Sequence, residues 1–330
     1  MKILIRIPNW IGDAVMSLPF IETIKKNFEN SEISLIGRKP AIEIFENYPG
    51  LKSLISIEGK SVFKEVKAYI KLRKEKFDKA YILPNSFQSA LSMSFTRAKS
   101  IIGYLNEGRG VFLTKRIKPA PKTKIHFSNY YLELLRSDGL KEYKIENISL
   151  HLSKKEREWS QKFLKDKGRE INIGISPGAA YGDSKKWFAK RFKEVGKYFE
   201  KNFNAKVFLF GSRGDVNDCK NVETGAFENL CGKTTIREAM ALIKEMKLFF
   251  SNDSGLMHLA NALGVPVVGI FGPTIPSHTY PYNKNYKIVF HKVECSPCKY
   301  RNCPLEKKIC MEAVSVEEVI EKGKLLLNTT

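Results

Sequence analysis

Short apolar runs alternate along the chain with longer stretches whose apolar residues recur every three or four positions. The first run, residues 3–7, is typical of a buried parallel strand. Pro8 ends it, because proline cannot donate to a sheet ladder. Helical spacing follows, with apolar residues at Val15, Leu18, Ile21, Ile24 and Phe28. The pattern predicts a strand–turn–helix unit at the N-terminus.

The same alternation recurs in both halves of the chain. Further strands are predicted at residues 33–37, 79–83, 101–104, 172–176, 206–210, 248–250 and 267–271. Helices are predicted at about 61–76, 154–166, 189–202 and 255–263, with a final helix after Ser315. A new series of strands and helices begins after residue 160. We therefore predict an α/β chain of two Rossmann-like domains, 1–160 and 161–330, with parallel sheets facing across a central cleft.

Composition places this chain of 330 residues, 43% of them hydrophobic, among globular proteins. No apolar run approaches the roughly 18 residues needed to span a bilayer. Arg6 and Pro8 interrupt the N-terminal apolar segment, so it does not resemble a signal peptide. We expect a cytoplasmic protein.

The charge is strongly basic, with 56 Lys and Arg against 35 Asp and Glu and a formal net charge of +21. Such an excess suits an anionic partner, whether nucleic acid, an acidic membrane surface or a phosphorylated substrate. The basic residues are spread along the chain, and no zinc-finger, RRM or homeodomain pattern is present. We therefore expect no nucleic-acid partner.

Polar residues follow two of the predicted strands in the first half. Asp13 lies where the first helix begins, and Asn85, Ser86, Gln88 and Ser89 form a polar turn after residues 79–83. Open α/β sheets bind ligands at the carboxyl ends of their strands, so these side chains are candidates for substrate binding. Two structural alternatives stay open: Asp13 as a helix N-cap, and the serines and glutamine as turn and capping residues.

The second half carries its candidate residues in a loop and at a helix start. In residues 252–258, Gly255 permits close backbone approach to a ligand, and the helix that begins there offers free N–H groups to a phosphate. Asp253 can bind a sugar hydroxyl or cap the helix, and His258 can be a ligand or a packing residue. Lys185 follows a glycine-containing loop, where an ammonium can neutralise a diphosphate leaving group.

Several common nucleotide-binding motifs are absent from the sequence. No G-x-G-x-x-G follows a predicted strand, which argues against a dinucleotide-dependent dehydrogenase. A Walker A motif is also missing, which argues against a P-loop kinase. The sequence contains no Asp-x-Asp, the usual sign of a sugar-nucleotide site built around a divalent metal.

Six short motifs, taken in their order, resemble the bacterial heptosyltransferases of glycosyltransferase family 9. They are residues 10–13, 83–87, 176–179 with 185–187, 210–212, 252–258 and 271–273. The resemblance spans nearly the whole chain. It implies a GT-B fold and inverting, metal-independent transfer of heptose from ADP-heptose. The implied acceptor is the heptosyl-Kdo-lipid A inner core of lipopolysaccharide, with the protein peripheral to the cytoplasmic face of the inner membrane.

The resemblance also implies roles for individual residues. Asp13 matches the base that deprotonates the acceptor hydroxyl, and Lys185 matches the lysine on the donor diphosphate. Asp253 matches the acid that holds the heptose hydroxyls. The other implied donor-binding residues are Gly178, Ala179, Ser254, Gly255 and His258. The implied acceptor-binding residues are Trp10, Gly12, Asn85, Ser86 and Gln88.

Four cysteines near the C-terminus, Cys295, Cys298, Cys303 and Cys310, are spaced C-x2-C-x4-C-x6-C. Four thiols that lie close together can hold zinc or an iron–sulfur cluster. This spacing fits no standard zinc ribbon, and heptose transfer requires no metal, so any metal here is expected to be structural. Cys219 and Cys231 are interpreted as ordinary thiols.

Two alternatives to the implied activity stay open. The same motifs fit a family 9 enzyme with another nucleotide sugar, or with another acceptor such as the one that receives the first heptose. A non-enzyme reading is an inactive nucleotide- or metal-binding scaffold. The joint presence of Asp13, Lys185 and Asp253 argues against the scaffold.

Overall fold

The computed structural model describes residues 1–59, 62–119, 125–298, 300–305 and 307–328. It divides the chain into two compact units, Met1–His151 and Leu152–Thr330. In the described residues each unit contains one six-stranded sheet, and every strand pairing in both sheets is parallel. The predicted alternation of strands and helices is therefore present in both halves.

The first unit is built on a sheet with the strand order β3-β2-β1-β4-β5-β6. Its strands are β1 Lys2–Arg6, β2 Glu32–Arg38, β3 Leu51–Ile57, β4 Lys79–Ile82, β5 Ser100–Tyr104 and β6 Lys115–Ile117. Its helices are α1 Ile11–Met16, α2 Leu18–Asn27, α3 Val62–Lys71, α4 Phe87–Ser94 and α5 Phe127–Ser137. Short 3₁₀ turns cover Glu43–Phe45, Leu72–Glu75 and Arg109–Phe112.

The helix predicted after β1 is divided in two at Ser17. The Ser17 hydroxyl donates to the carbonyl of Ala14 at 2.7 Å. Such a bond from a serine to the preceding turn bends a helix. The shorter piece, α1, follows directly from the carboxyl end of β1 and carries Asp13 in its first turn.

The second unit repeats the design with the strand order β12-β11-β10-β7-β8-β9. Its strands are β7 Asn172–Ser176, β8 Lys206–Leu209, β9 Glu228–Asn229, β10 Leu248–Asn252, β11 Val267–Ile270 and β12 Tyr286–Val289. Its helices are α6 Lys154–Lys167, α7 Ala189–Phe203, α8 Val216–Val222, α9 Ile236–Lys244, α10 Gly255–Ala262, α11 Pro276–Thr279, α12 Ile309–Glu312 and α13 Val316–Leu327. Strands β7 and β10 are buried along their whole length, and they place the candidate donor residues at their carboxyl ends.

The interpretation of Cys219 and Cys231 as ordinary thiols was wrong, because their sulfurs are joined in a disulfide within the core of the second unit.

The helices of the described residues are all too short or too polar to span a lipid bilayer.

The division between the units lies nine residues before the predicted boundary at residue 160, and α6 belongs entirely to the second unit. Helix α6 packs on α9, and its Glu156 accepts from the Arg237 guanidinium at 2.7 and 2.8 Å. The same carboxylate accepts from the backbone N–H of Ser153 in a capping box. Burial would raise the pKa of Glu156, but these charged and backbone donors outweigh it and lower the pKa to about 2.

We expect Glu156→Gln to lower the unfolding free energy at pH 7 by about 2–3 kcal/mol. Because the folded pKa lies below the ordinary value, this contribution is complete above about pH 4.5 and is lost as the pH falls towards 2. Urea unfolding at pH 7 and pH 3 measures the difference between wild type and variant. Glu158→Gln, on the exposed side of the same helix, should cost far less. A Glu156→Gln deficit as large at pH 3 as at pH 7 would contradict this explanation.

Candidate active site

The carboxyl end of β1 holds the predicted base. Asp13 is the third residue of α1 and is partly exposed, while Trp10 occupies the N-cap position. The alternative of Asp13 as the N-cap residue is therefore wrong. Burial, and then the nearby Asp13 carboxylate, raise the pKa of Tyr131 well above its ordinary range. Helix α1 packs on α5, so Asp13 lies within electrostatic range of a buried phenol, at the edge of the sheet where ligands bind.

Of the other predicted acceptor residues, some are exposed and some form hydrogen bonds within the protein. Trp10 is 56% exposed, whereas Gly12 is buried. Asn85, just after β4, accepts a hydrogen bond from the Tyr130 hydroxyl at 3.2 Å. Ser86 is the N-cap of α4 and accepts from the Ser89 N–H at 3.3 Å, so the capping alternative is realised for this pair. Ser86 is also exposed, and its predicted contact with an acceptor stays a prediction.

The side chain of Gln88 forms a hydrogen bond within the protein. Its amide donates to Glu65 at 2.7 Å, and Glu65 is only 1% exposed. The same carboxylate oxygen accepts from Arg38 at 2.5 Å. Gln88 therefore helps to satisfy a buried carboxylate in the structure, and its predicted contact with an acceptor would require this bond to be shared or broken.

Sequence reasoning missed the importance of Arg109. Its segment is basic and contains glycine, a composition typical of a solvent-exposed loop, yet the Arg109 side chain is fully buried. Its guanidinium donates to the carbonyls of Tyr104, at 2.7 Å, and Pro84. Burial lowers the pKa of Arg109 to about 10, which still leaves the side chain charged at neutral pH. Arg109 thus joins the ends of β4 and β5 and fixes the backbone that presents Asn85 and Ser86.

The second unit brings two predicted donor residues into direct contact. Lys185, in the loop after β7, forms an ion pair with Asp253 at the end of β10, with 2.5 Å between Nζ and Oδ2. Both side chains are almost completely buried. The Thr274 hydroxyl, after β11, donates to the same carboxylate oxygen at 2.7 Å. Three loops therefore converge on one carboxylate.

This pair is suited to an anionic ligand. A lysine ammonium has three donors, so Lys185 can bind a phosphate oxygen while it keeps Asp253 as a partner. A buried charge pair is also poorly screened by solvent, which strengthens its effect on a ligand that develops charge nearby. Thr274 was not predicted as a site residue; its position two residues after Gly272, at a strand end, was the available signal.

Asn252 links the two loops that carry the pair. Its side-chain oxygen accepts from the Trp187 N–H at 2.9 Å, and its amide donates to the Pro177 carbonyl at 2.7 Å. Asn252 is fully buried. These bonds hold the loop after β7 against the end of β10, so Asn252 positions Lys185 and was also missed as a site residue.

The remaining predicted donor residues lie at the same sheet edge. Gly178 and Ala179 follow β7, Ser254 is the N-cap of α10, Gly255 is its first residue, and His258 lies one turn into it. His258 is only 4% exposed. A Cβ at Gly178 would lie 2.2 Å from Oδ1 of Asp215, so a larger residue there would displace the Asp215 side chain. The donor-binding roles of these residues stay predictions.

The segment with the four cysteines packs against the loop that carries Lys185. The Ser184 N–H donates to the Arg301 carbonyl at 3.0 Å, and Lys308 pairs with Asp183 at 2.5 Å. The Tyr181 ring lies between two cations, 4.9 Å from Lys185 Nζ and 5.5 Å from the Arg301 guanidinium. The segment that contains the four cysteines therefore helps to hold the loop of the candidate donor site in place.

Three of the cysteines lie within electrostatic range of Cys310. Burial raises the pKa of the Cys310 thiol, and the thiols of Cys295, Cys298 and Cys303 raise it further. Within the described residues, however, no three His, Cys, Asp or Glu side chains are arranged to hold a metal ion. The structural metal predicted at these four cysteines stays a prediction.

Comparisons with known proteins identify the family of the chain. A family model described as glycosyltransferase family 9 (heptosyltransferase) matches residues 66–309. Lipooligosaccharide heptosyltransferase 2 of Campylobacter jejuni is 32% identical over 346 residues, covering 100% of this chain and 99% of the relative. Lipopolysaccharide heptosyltransferase 2 of Escherichia coli is 28% identical over 317 residues, covering 89% of this chain and 90% of the relative.

Structural comparison gives the same result. The structure of E. coli ADP-heptose lipopolysaccharide heptosyltransferase II matches with a TM-score of 0.85 and 25% identity, over 100% of this chain and 99% of that one. The predicted resemblance to glycosyltransferase family 9 and the predicted GT-B fold class are confirmed by these similarities.

Proposed function

The chain belongs to glycosyltransferase family 9, and we propose that it transfers heptose from ADP-heptose to the heptosyl-Kdo-lipid A inner core of lipopolysaccharide. The observation that carries this proposal is the 32% identity, along the whole chain, with a lipooligosaccharide heptosyltransferase 2. The buried Lys185–Asp253 pair supports it with chemistry suited to a sugar diphosphate.

The acceptor half of the proposed mechanism belongs to the first unit. Asp13 removes the proton from the acceptor hydroxyl as the oxygen attacks the anomeric carbon of the donor. Attack on the face opposite the departing ADP inverts the anomeric configuration. The acceptor is bound by the exposed ring of Trp10, by Gly12 in the first turn of α1, and by Asn85, Ser86 and Gln88 around the start of α4. The position of Asp13 at the carboxyl edge of the sheet supports this role.

The donor half belongs to the second unit. Lys185 and the free N–H groups at the start of α10 stabilise the charge that develops on the ADP leaving group. Asp253 binds the heptose hydroxyls. The loop of Gly178 and Ala179, together with Ser254, Gly255 and His258, lines the nucleotide and phosphate portion. The convergence of the three loops on Asp253 supports this assignment.

We propose that transfer needs no metal ion, since an ammonium and helix N–H groups can stabilise the diphosphate. Transfer should then be undiminished after treatment with EDTA. The predicted structural zinc or iron–sulfur cluster at Cys295, Cys298, Cys303 and Cys310 stays a separate proposal. Elemental analysis of the purified protein tests it directly. About one equivalent of zinc per chain, or iron together with acid-labile sulfide, lost in Cys→Ser variants, would support it.

We also propose that the protein acts at the cytoplasmic face of the inner membrane. The proposed acceptor is a lipid, so the enzyme must meet it at a bilayer surface. The basic excess of the chain favours an anionic surface.

Nucleotide competition tests the donor proposal. Isothermal titration of the protein with ADP, GDP, UDP and CMP should give tightest binding to ADP, and ADP should compete with ADP-heptose. Tightest binding of a different nucleotide would move the donor to another sugar within the same family. Binding of none of the nucleotides would favour an inactive scaffold.

A further inference from the structure

Exposed apolar side chains of the first unit are concentrated at one edge of its sheet. In the described part of residues 1–151, eight large apolar side chains are exposed, and six of them lie within seven residues after the carboxyl end of a strand. They are Trp10 after β1, Val62 and Phe63 after β3, Phe87 after β4, and Leu105 and Val111 after β5. Because the strands are parallel, their carboxyl ends lie at the same edge. Chance exposure would spread such side chains over the surface.

Buried contacts hold the most exposed of these side chains outward. Phe63 is 89% exposed and Val111 is 74% exposed. On the inward face of α3, the Glu65 carboxylate binds Arg38 and Gln88, and Tyr69 is fully buried. In the 3₁₀ turn at residues 109–112, the buried Arg109 places Val111 on the outside. The exposed positions of the Phe63 and Val111 side chains are therefore fixed by the fold.

The elements that carry these exposed side chains pack against one another in a continuous row. Helix α3 packs on α4, and α4 packs on the turn at residues 109–112. The rings of Phe87 and Phe112 meet edge to face, with their centroids 5.2 Å apart. Phe63, Phe87 and Val111 thus belong to neighbouring elements, beside the Asn85 and Ser86 loop of the proposed acceptor site.

The charge of the first unit indicates which kind of partner binds this row of exposed apolar side chains. Residues 1–151 contain 26 Lys and Arg against 15 Asp and Glu. Lys39 follows β2 and Lys118 follows β6, and both are exposed; Lys67 is exposed one turn after Phe63. Protruding apolar side chains among lysines are typical of surfaces that bind anionic bilayers, where each basic residue adds to the attraction.

We propose that the carboxyl edge of the first unit's sheet docks on an anionic lipid bilayer and inserts Phe63 and Val111 among the headgroups. This orientation presents Asp13, in the first turn of α1, and the loop of Asn85 and Ser86 to an acceptor that is itself anchored in the bilayer. The identity of that acceptor rests on the proposed function, whereas the docking itself does not.

Vesicle co-sedimentation tests the docking. Wild type should bind vesicles of phosphatidylglycerol and phosphatidylethanolamine, and should bind much less to vesicles of phosphatidylcholine alone or in high salt. The double variant Phe63→Ser/Val111→Ser should lower the partition coefficient about tenfold or more. Leu325→Ser removes an apolar side chain that is 52% exposed in the second unit, and it should bind as wild type does.

Three results would overturn the docking proposal. One is a wild type that does not bind the anionic vesicles, and another is a double variant that binds them unchanged. The third is a wild-type dimer, seen by sedimentation velocity, that the double variant converts to monomer, since the edge would then be an interface between copies of the chain.

Transfer assays separate this proposal from the proposed function. On a deacylated, soluble acceptor the double variant should transfer at the wild-type rate, because neither side chain belongs to the site. On the acceptor embedded in anionic vesicles its rate should fall about as much as its partition coefficient. Absence of transfer by wild type on both acceptors would sink the proposed activity and leave the vesicle result standing.

Discussion

Replacing Asp13 by asparagine is expected to lower kcat for heptose transfer by about a hundredfold or more. The amide keeps the size of the side chain but cannot accept the proton of the attacking hydroxyl. Asp13 is partly exposed in the first turn of α1, so the change should leave the fold intact. Release of ADP gives kcat and KM, and calorimetry gives the affinity for ADP, which should be unchanged.

A matched control is available in the same unit. Glu46→Gln also replaces an exposed carboxylate by its amide, at a site removed from the carboxyl end of β1 in sequence, and it should transfer as wild type does. An Asp13→Asn variant with undiminished kcat would keep the family and remove Asp13 as the base. An equal loss in both variants would point to a general effect of charge.

Replacing Lys185 by methionine is expected to lower kcat/KM by about a hundredfold, with weaker binding of ADP. The loss removes the ammonium that we place on the diphosphate. It also leaves the buried Asp253 carboxylate without its 2.5 Å partner, which should cost about 3 kcal/mol of unfolding free energy. Steady-state kinetics and urea unfolding measure the two effects separately.

The neighbouring lysine serves as the control for Lys185. Lys186 pairs with Asp218 at 2.8 Å in a partly exposed position, so Lys186→Met should change both quantities far less. The double variant Lys185→Met/Asp253→Asn should recover stability, because no buried charge is left unpaired, yet it should not recover transfer. Recovery of transfer in that variant would show that Lys185 acts only through the fold.

The sequence predicted most of the two sheets for a definite physical reason. Strands such as β1 and β7 are buried along nearly their whole length, so they read as continuous apolar runs bounded by turn residues. Strand β3 was missed because it lies at the edge of its sheet and only its last residue, Ile57, is buried. An edge strand lacks the apolar continuity that identifies a central one.

The sequence predicted several residues of the candidate site but not the contacts between them. Strand ends indicated where Asp13, Lys185 and Asp253 would lie. Their pairing could not be read from the sequence, because Lys185 and Asp253 are 68 positions apart and meet only when β7 and β10 become neighbours. The burial of Arg109 was hidden for a related reason: its loop composition is typical of solvent exposure, and its partners are backbone carbonyls, which no sequence motif records.

Mass spectrometry of the lipid acceptor after incubation with the protein and ADP-heptose decides whether the chain is a heptosyltransferase of the proposed type. The acceptor should be heptosyl-Kdo-lipid A, and the same lipid without its heptose should be assayed in parallel. We expect the mass of one heptose to be added to the first acceptor and little or none to the second. Addition only to the lipid without heptose, or to neither lipid, would contradict the proposed reaction.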